Sequence, residues 1–238
     1  AFHTKKDFQK YTKLLTLSTA DQKFVVVHDE NLRQLTGINR KPRQLTLKHL
    51  QGLAADENGH RAHLVSFDQY LAFAQKHRQK LLVEIKTTPA DSPRMLQHFN
   101  QCYGRQLQQN HAWLHSMDLH AVQELHRLNP KLAIMAIQPY VLGWPSRDVG
   151  WNVEYSMLNP LLIAQLHFNH QPICVWTVDD PDTMRQAALM GVDGIVTDNL
   201  KALDIALKDT ERHHDYAVRL TAQLNVAYNW HNLIDGRR

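Results

Sequence analysis

Residues 173–198, ICVWTVDDPDTMRQAALMGVDGIVTD, decide the fold. The stretch opens with an apolar, β-branched run, Ile173 to Val178, that reads as a strand. Asp180 then stands where a helix N-cap belongs, with Pro181 at the first helical position, and helical spacing carries on to Met190. A second apolar run, Gly194 to Thr197, comes immediately after. Strand, helix and strand in this order are one repeat of the βα rhythm that builds a parallel sheet.

The rhythm extends in the N-terminal direction. Strands are expected at Lys23 to His28, Lys80 to Lys86, Ala112 to Met117, Leu132 to Ile137 and, more weakly marked, Val153 to Met157. Between them lie amphipathic segments such as Ser66 to His77, with Phe67, Tyr70, Leu71 and Ala74 on one face, and Leu119 to Leu128. Seven strands nearly all separated by helices favour an α/β TIM (β/α)8 barrel over an open doubly wound sheet. One strand is missing from the count, so the first βα unit is expected to be incomplete or altered. Thr4 to Leu15, with Lys5, Lys6, Lys10 and Lys13, reads as a basic helix or arm. The division expected is a divergent segment over 1–18, one barrel domain over 19–230 closed by a helix within Asp204 to Asn229, and a frayed tail over 231–238.

The bulk numbers agree with a globular chain. It has 238 residues, 43% hydrophobic and 21% charged, which excludes collagen-like, coiled-coil and disordered classes. Twenty-seven Lys and Arg against 23 Asp and Glu leave a net charge of +4, a mild bias toward anionic partners that does not demand nucleic acid. Cys102 and Cys174 lack Cys-x-x-Cys spacing and read as core thiols. No apolar run approaches the roughly 18 residues that cross a bilayer. His60 and His63 fall in a Gly-flanked loop, no His-Glu-x-x-His occurs, and the glycine-rich nucleotide motifs and Gly-x-Ser-x-Gly are missing.

In a barrel of this kind chemistry gathers at the C-terminal strand ends. Phe24 to Val27 ends in His28-Asp29, Leu81 to Val83 in Glu84-Ile85-Lys86, Ile173 to Val175 in Trp176-Thr177, and the last run in Thr197-Asp198. Glu84 is the most telling, because a carboxylate in an apolar strand is costly to bury without a cation or a partner. Lys86, two residues on, shares its face of the strand and could itself be that partner. Taken alone, His28 and Trp176 could equally be structural residues.

At these residues the chain resembles the glycerophosphodiester phosphodiesterase family. His28-Asp29-Glu30-Asn31-Leu32 with Leu35-Thr36-Gly37 resembles its second catalytic-histidine segment, and Leu82-Val83-Glu84-Ile85-Lys86 its Glu-x-Lys strand. Val175-Trp176-Thr177-Val178, together with residues 191–198, resembles its closing signature. The resemblance implies hydrolysis of glycerophosphodiesters to glycerol 3-phosphate and an alcohol with a divalent cation, Ca2+ or Mg2+. His28 would be catalytic, Glu84 a metal ligand, Lys86 a phosphate contact and Trp176 an apolar wall against glycerol. Likeness around Asn39 to Leu50 and Ser66 to Leu71 to bacterial members whose catalytic domain follows membrane helices implies membrane association through a segment outside this sequence.

The resemblance fails upstream. The family carries His-Arg on its first strand and Glu-x-Asp on the next, about thirteen residues before the His-Asp pair. Counted back from His28, those carboxylates fall on Lys13 and Leu15, and the early imidazole is His3 alone. Weak binding of Ca2+ or Mg2+ and slow turnover are therefore expected, unless Asp29, Asp198 or another acid substitutes. A second reading is a non-catalytic module for phosphate-rich surfaces or lipid head groups. It rests on Arg33, Arg40, Lys41, Arg43 and Lys48, a basic run with no acid between Glu30 and Asp56. Nucleic acid ranks lower, since the run lacks interleaved aromatics.

Overall fold

In the computed structural model, residues 2–4, 9–57, 59–88, 91, 94–140 and 148–210 are described. The strands are β1 (Phe2–Thr4), β2 (Gln9–Ser18), β3 (Phe24–Val26), β4 (Ala54–Glu57), β5 (His60–His63), β6 (Val65–Ser66), β7 (Lys80–Ile85), β8 (Trp113–Ser116), β9 (Ala133–Gln138), β10 (Gly150–Glu154), β11 (Ile173–Trp176) and β12 (Gly194–Val196). The α-helices are α1 (Arg33–Thr36), α2 (Leu47–Gln51), α3 (Phe67–Lys76), α4 (Met95–Gln109), α5 (Leu119–Leu128), α6 (Pro160–Phe168) and α7 (Pro181–Met190). A further helical stretch occupies 200–210.

Eight strands close into a barrel. From β2 the order runs through β7, β8, β9, β10, β11 and β12 to β1, which pairs back onto β2. Neighbours from β2 through β12 are parallel, while β1 is antiparallel to both of its neighbours. Chain length accounts for the reversal: a parallel connection needs roughly a dozen residues, and only residues 5–8 separate Thr4 from Gln9. The barrel has an altered first βα unit, as expected, but within the stretch read as a basic helix or arm Thr4 and Gln9 to Leu15 are strand, while residues 5–8, with Lys5 and Lys6, lie outside the described residues. Tyr11, Leu14, Leu15, Thr16 and Leu17 are all buried, because β2 lies inside the wall with covered side chains on both faces. The barrel therefore begins ahead of residue 19.

The run from Lys23 to His28 is a strand outside the barrel. β3 lies antiparallel on the end of β2, with Ser18 opposite Phe24 and Thr16 opposite Val26, and leads into an annex built from α1, α2, the β4–β5 hairpin and β6. A separate small core of Leu17, Val25, Val27, Leu32, Leu50 and Leu64 holds this annex. His60 and His63 belong to its hairpin, which turns through Gly59 at φ +82°, and not to a loop. The strand expected at Val153 to Met157 stops at Glu154, whose side chain accepts from the Ser156 amide at 2.9 Å and bends the chain into a 3-10 turn. Of the two cysteines Cys174 is buried, but Cys102 is exposed on α4. The expected helix beyond 210 and the tail lie outside the described residues.

Local chemistry sets the element ends. Ser66 and Gln69 form a capping box that starts α3. Asp180 accepts from the Thr183 amide at 2.8 Å to start α7, which ends at Gly191 with φ +96°. Alternation along β7 sends Leu81, Val83 and Ile85 to the helix-facing core and Leu82 into the barrel, where it meets Tyr11, Met135, Cys174 and Val196. These apolar side chains are the floor beneath the polar groups at the C-terminal end.

Candidate active site

Glu84 stands on β7 one pleat above Leu82 and is almost wholly buried. Its charge is balanced from β2. The register sets Lys13 beside Leu82 and Leu15 beside Glu84, and the Lys13 ammonium reaches up to within 3.1 Å of Glu84 Oε2. Lys86 does something else: its Nζ donates to the His28 carbonyl at 2.8 Å. The candidate partner of Glu84 on its own strand is thus replaced by a lysine on the neighbouring one.

On the other side of Glu84, His115 on β8 directs Nε2 toward the same Oε2 at 3.9 Å, beyond hydrogen-bond length. Burial, and then the Lys13 charge, hold the His115 imidazole well below its ordinary pKa of 6.5, so the ring is neutral. Its Nδ1 lies 3.0 Å from Asn152 Nδ2 on β10. The Asn152 carbonyl in turn accepts from Trp176 Nε1 at 3.1 Å. Two polar pieces therefore lie above the apolar floor, the Lys13–Glu84 pair and the His115–Asn152–Trp176 linkage, with His115 Nε2 facing Glu84 across the gap between them.

His28 sits at the mouth. The Val27 amide donates to the Leu15 carbonyl at 3.1 Å, which brings the end of the annex strand over β2, and Lys86 fixes the His28 carbonyl from β7. The imidazole is mostly exposed and pairs with Asp29, Nδ1 to Oδ1, at 2.7 Å. A cleft of about 530 Å³ opens at this end of the barrel, lined by Glu30, Glu84, Lys86, Thr87, Met117 and Asp118 among others. Asp118 accepts from Thr87 at 2.6 Å and caps α5 through the His120 amide, so it is already engaged. Asp198 is placed by its own amide, which donates to Asp179 at 2.8 Å.

Glu84 and Lys86 thus share one face, His28 meets Lys86 through its main chain, and Trp176 stands apart, tied to the Asn152 carbonyl on β10. His115 and Asn152 were missed in the sequence. The available signal was alternation: His115 stands two residues after Trp113 and so faces the interior with it.

The described residues do not fit a hard divalent cation. Such an ion takes six or more oxygen ligands, and the described residues contain no cluster of three His, Cys, Asp or Glu able to hold one. An ammonium already lies on Glu84. At 4 Å and an effective dielectric of 20, like unit charges repel by about 4 kcal/mol, and a divalent ion would meet about twice that.

The comparisons point one way. Residues 17–202 match the Glycerophosphoryl diester phosphodiesterase family. YhdW of Bacillus subtilis (strain 168), a relative carrying the glycerophosphodiester phosphodiesterase name, is 27% identical over 197 residues, covering 76% of this chain and 79% of its own. Among solved structures, an Oleispira antarctica phosphodiesterase in complex with the product sn-glycerol-3-phosphate superposes with a TM-score of 0.75 at 15% identity, over 84% of this chain and 85% of that one. A glycerophosphodiester phosphodiesterase from Parabacteroides distasonis ATCC 8503 gives 0.69 at 24% identity, over 84% of each chain. The structural likenesses establish the barrel and the profile match spans most of the chain, so that despite its reversed first strand and the lysine on its central carboxylate, this protein belongs to the glycerophosphoryl diester phosphodiesterase family.

Proposed function

We propose that the chain hydrolyses glycerophosphodiesters to glycerol 3-phosphate and an alcohol at the C-terminal mouth of the barrel. The observation that carries this reading is the Lys86 bond to the His28 carbonyl, which ties the segment bearing His28 to the strand end that bears Glu84 and Lys86. Lys86 offsets charge on the phosphate as it develops, and Trp176 offers an apolar wall to the glycerol carbons. His28 protonates the alcohol oxygen as its bond to phosphorus breaks, and recovers a proton from the water whose hydroxyl goes to phosphorus.

The test is release of glycerol 3-phosphate from glycerophosphocholine, glycerophosphoethanolamine or glycerophosphoglycerol. His28→Ala should slow release about 100-fold or more. Release unchanged in that variant removes His28 from the mechanism. A second reading, phosphate binding without turnover, is favoured by the Lys13 contact on Glu84. It predicts that glycerol 3-phosphate binds while none of the three diesters is cleaved. Arg33, Arg40 and Lys48 are exposed on the annex, and adhesion to anionic vesicles that falls steeply with salt would add a membrane surface to either reading.

A further inference from the structure

The seam between β2 and β7 carries a cation of its own. We propose that the Lys13 ammonium takes the place of a divalent metal beside Glu84, so that the barrel receives the phosphate of its ligand between Lys13 and Lys86 without a metal ion. The proposal rests on the reading that the mouth takes a glycerophosphodiester, and it replaces the metal dependence that the family resemblance implies.

Register is the first argument. Lys13 and Glu84 project from neighbouring parallel strands into the same interior, and the lysine climbs one pleat to bring Nζ within 3.1 Å of the carboxylate. Exposure is the second. A lysine serving only to neutralise a buried acid could be sealed with it, yet Lys13 keeps 25% of its side chain exposed while Glu84 keeps 6%. Charge is the third. Two ammoniums, Lys13 and Lys86, accompany the single carboxylate of Glu84 along this seam, which leaves one of them to meet an anionic ligand. The orphaned Nε2 of His115 approaches the same Glu84 oxygen from β8 but stays at 3.9 Å, so Lys13, at 3.1 Å, is the contact that Glu84 makes with a neighbouring strand's charge.

Calorimetry tests this with two probes, sn-glycerol 3-phosphate and Ca2+. The native chain should bind glycerol 3-phosphate with an affinity that chelator and added Ca2+ change by less than about twofold, and should give no saturable heat with Ca2+ alone. Lys13→Met should weaken glycerol 3-phosphate binding about tenfold or more. Lys13→Glu should lose binding in chelator, regain it with Ca2+, and acquire a Ca2+-dependent rise in thermal midpoint. A saturable Ca2+ site in the native chain, with binding lost on chelation, overturns the proposal. If glycerol 3-phosphate binds under no condition, the proposed substrate fails, and the Ca2+ titrations of native and Lys13→Glu chains still decide whether Lys13 holds the metal's place. Should Lys13→Glu not fold, Lys13→Met and Lys13→Gln give the same reading: a Ca2+ site appearing in the native chain, or phosphate affinity unchanged without the charge, counts against it.

Discussion

From β7 to β12 the barrel wall repeats one construction, in which each strand is parallel to the last and the described helices α4 to α7 cover the outside. From β1 to β6 the chain does something different: one strand reversed against both neighbours, one long strand buried on both faces, then an annex with its own small core. The regular arc presents an apolar floor with polar side chains above it, and it carries Glu84, Lys86 and Trp176 at or just past its strand ends as the family resemblance leads one to expect. The irregular arc carries Lys13 and Leu15 at the positions where that resemblance calls for carboxylates. Change has collected on the side whose connections depart from the repeat, and the two arcs meet in the contact between Lys13 and Glu84.

The largest effect separating the arcs should come from Trp151, a fully buried side chain packed between the regular arc and its helices. Trp151→Ala should cost about 3–5 kcal/mol, from lost burial and an unfilled cavity. Denaturant titration measures it, and a loss under about 1 kcal/mol would mean that this arc is not where stability resides. Next is the seam. Lys13→Met leaves Glu84 buried without its cation and should cost about 3 kcal/mol, the lower end for a broken buried pair because Lys13 is partly exposed. The double variant Lys13→Met/Glu84→Gln should recover much of this. Coupling below about 0.5 kcal/mol in that cycle would mean the two charges act independently.

The regular arc was legible because each signal there is local. Asp180-Pro181 marks a helix start, apolar runs mark strands, and the polar residue closing a run marks the mouth. β2 was illegible for an equally physical reason. Its lysines interrupt the apolar alternation, and Lys13 lies inside only because Glu84, far away in sequence, is there to receive it. β3 misled in the opposite sense: Phe24 to Val26 is as apolar as a barrel strand, but its burial comes from the annex core and from ring contacts such as Phe24 with Phe99. His28 could still be found, because the residues just after β3 reach the mouth whether or not β3 belongs to the wall. For Glu84 a local reading yields the cost of burying a carboxylate and leaves its partner open between metal and lysine; strand register supplies the lysine.

A smaller effect lies where the annex hands the chain back to the barrel. Ser66 caps α3 and is bound in turn by Gln69, so Ser66→Ala should cost about 1 kcal/mol. If the annex and the regular arc unfold together, the loss will appear as a shift of one transition with unchanged slope against denaturant. Two transitions would show the irregular arc melting by itself, which would make the comparison a division of stability as well as of construction.

The smallest effect near neutrality, and the sharpest test of the seam, is the pH dependence contributed by His115. Burial first, and the Lys13 charge second, lower its pKa in the folded chain well below 6.5. Between that lowered value and 6.5 the unfolded chain binds a proton that the folded chain refuses, so stability rises with pH across this window. The contribution is complete above 6.5 and is lost as pH falls toward the folded value. Glu84 and Lys13 both face the ring, so Lys13→Met should bring the folded pKa back toward 6.5 and shrink the loss. Thermal midpoints of the native chain should therefore fall from about pH 7 to about pH 5, less steeply in Lys13→Met and least in His115→Gln, which has no imidazole to protonate. If all three chains give the same slope, the acid sensitivity arises elsewhere, and the Lys13 charge does not reach His115 as the geometry of the seam requires.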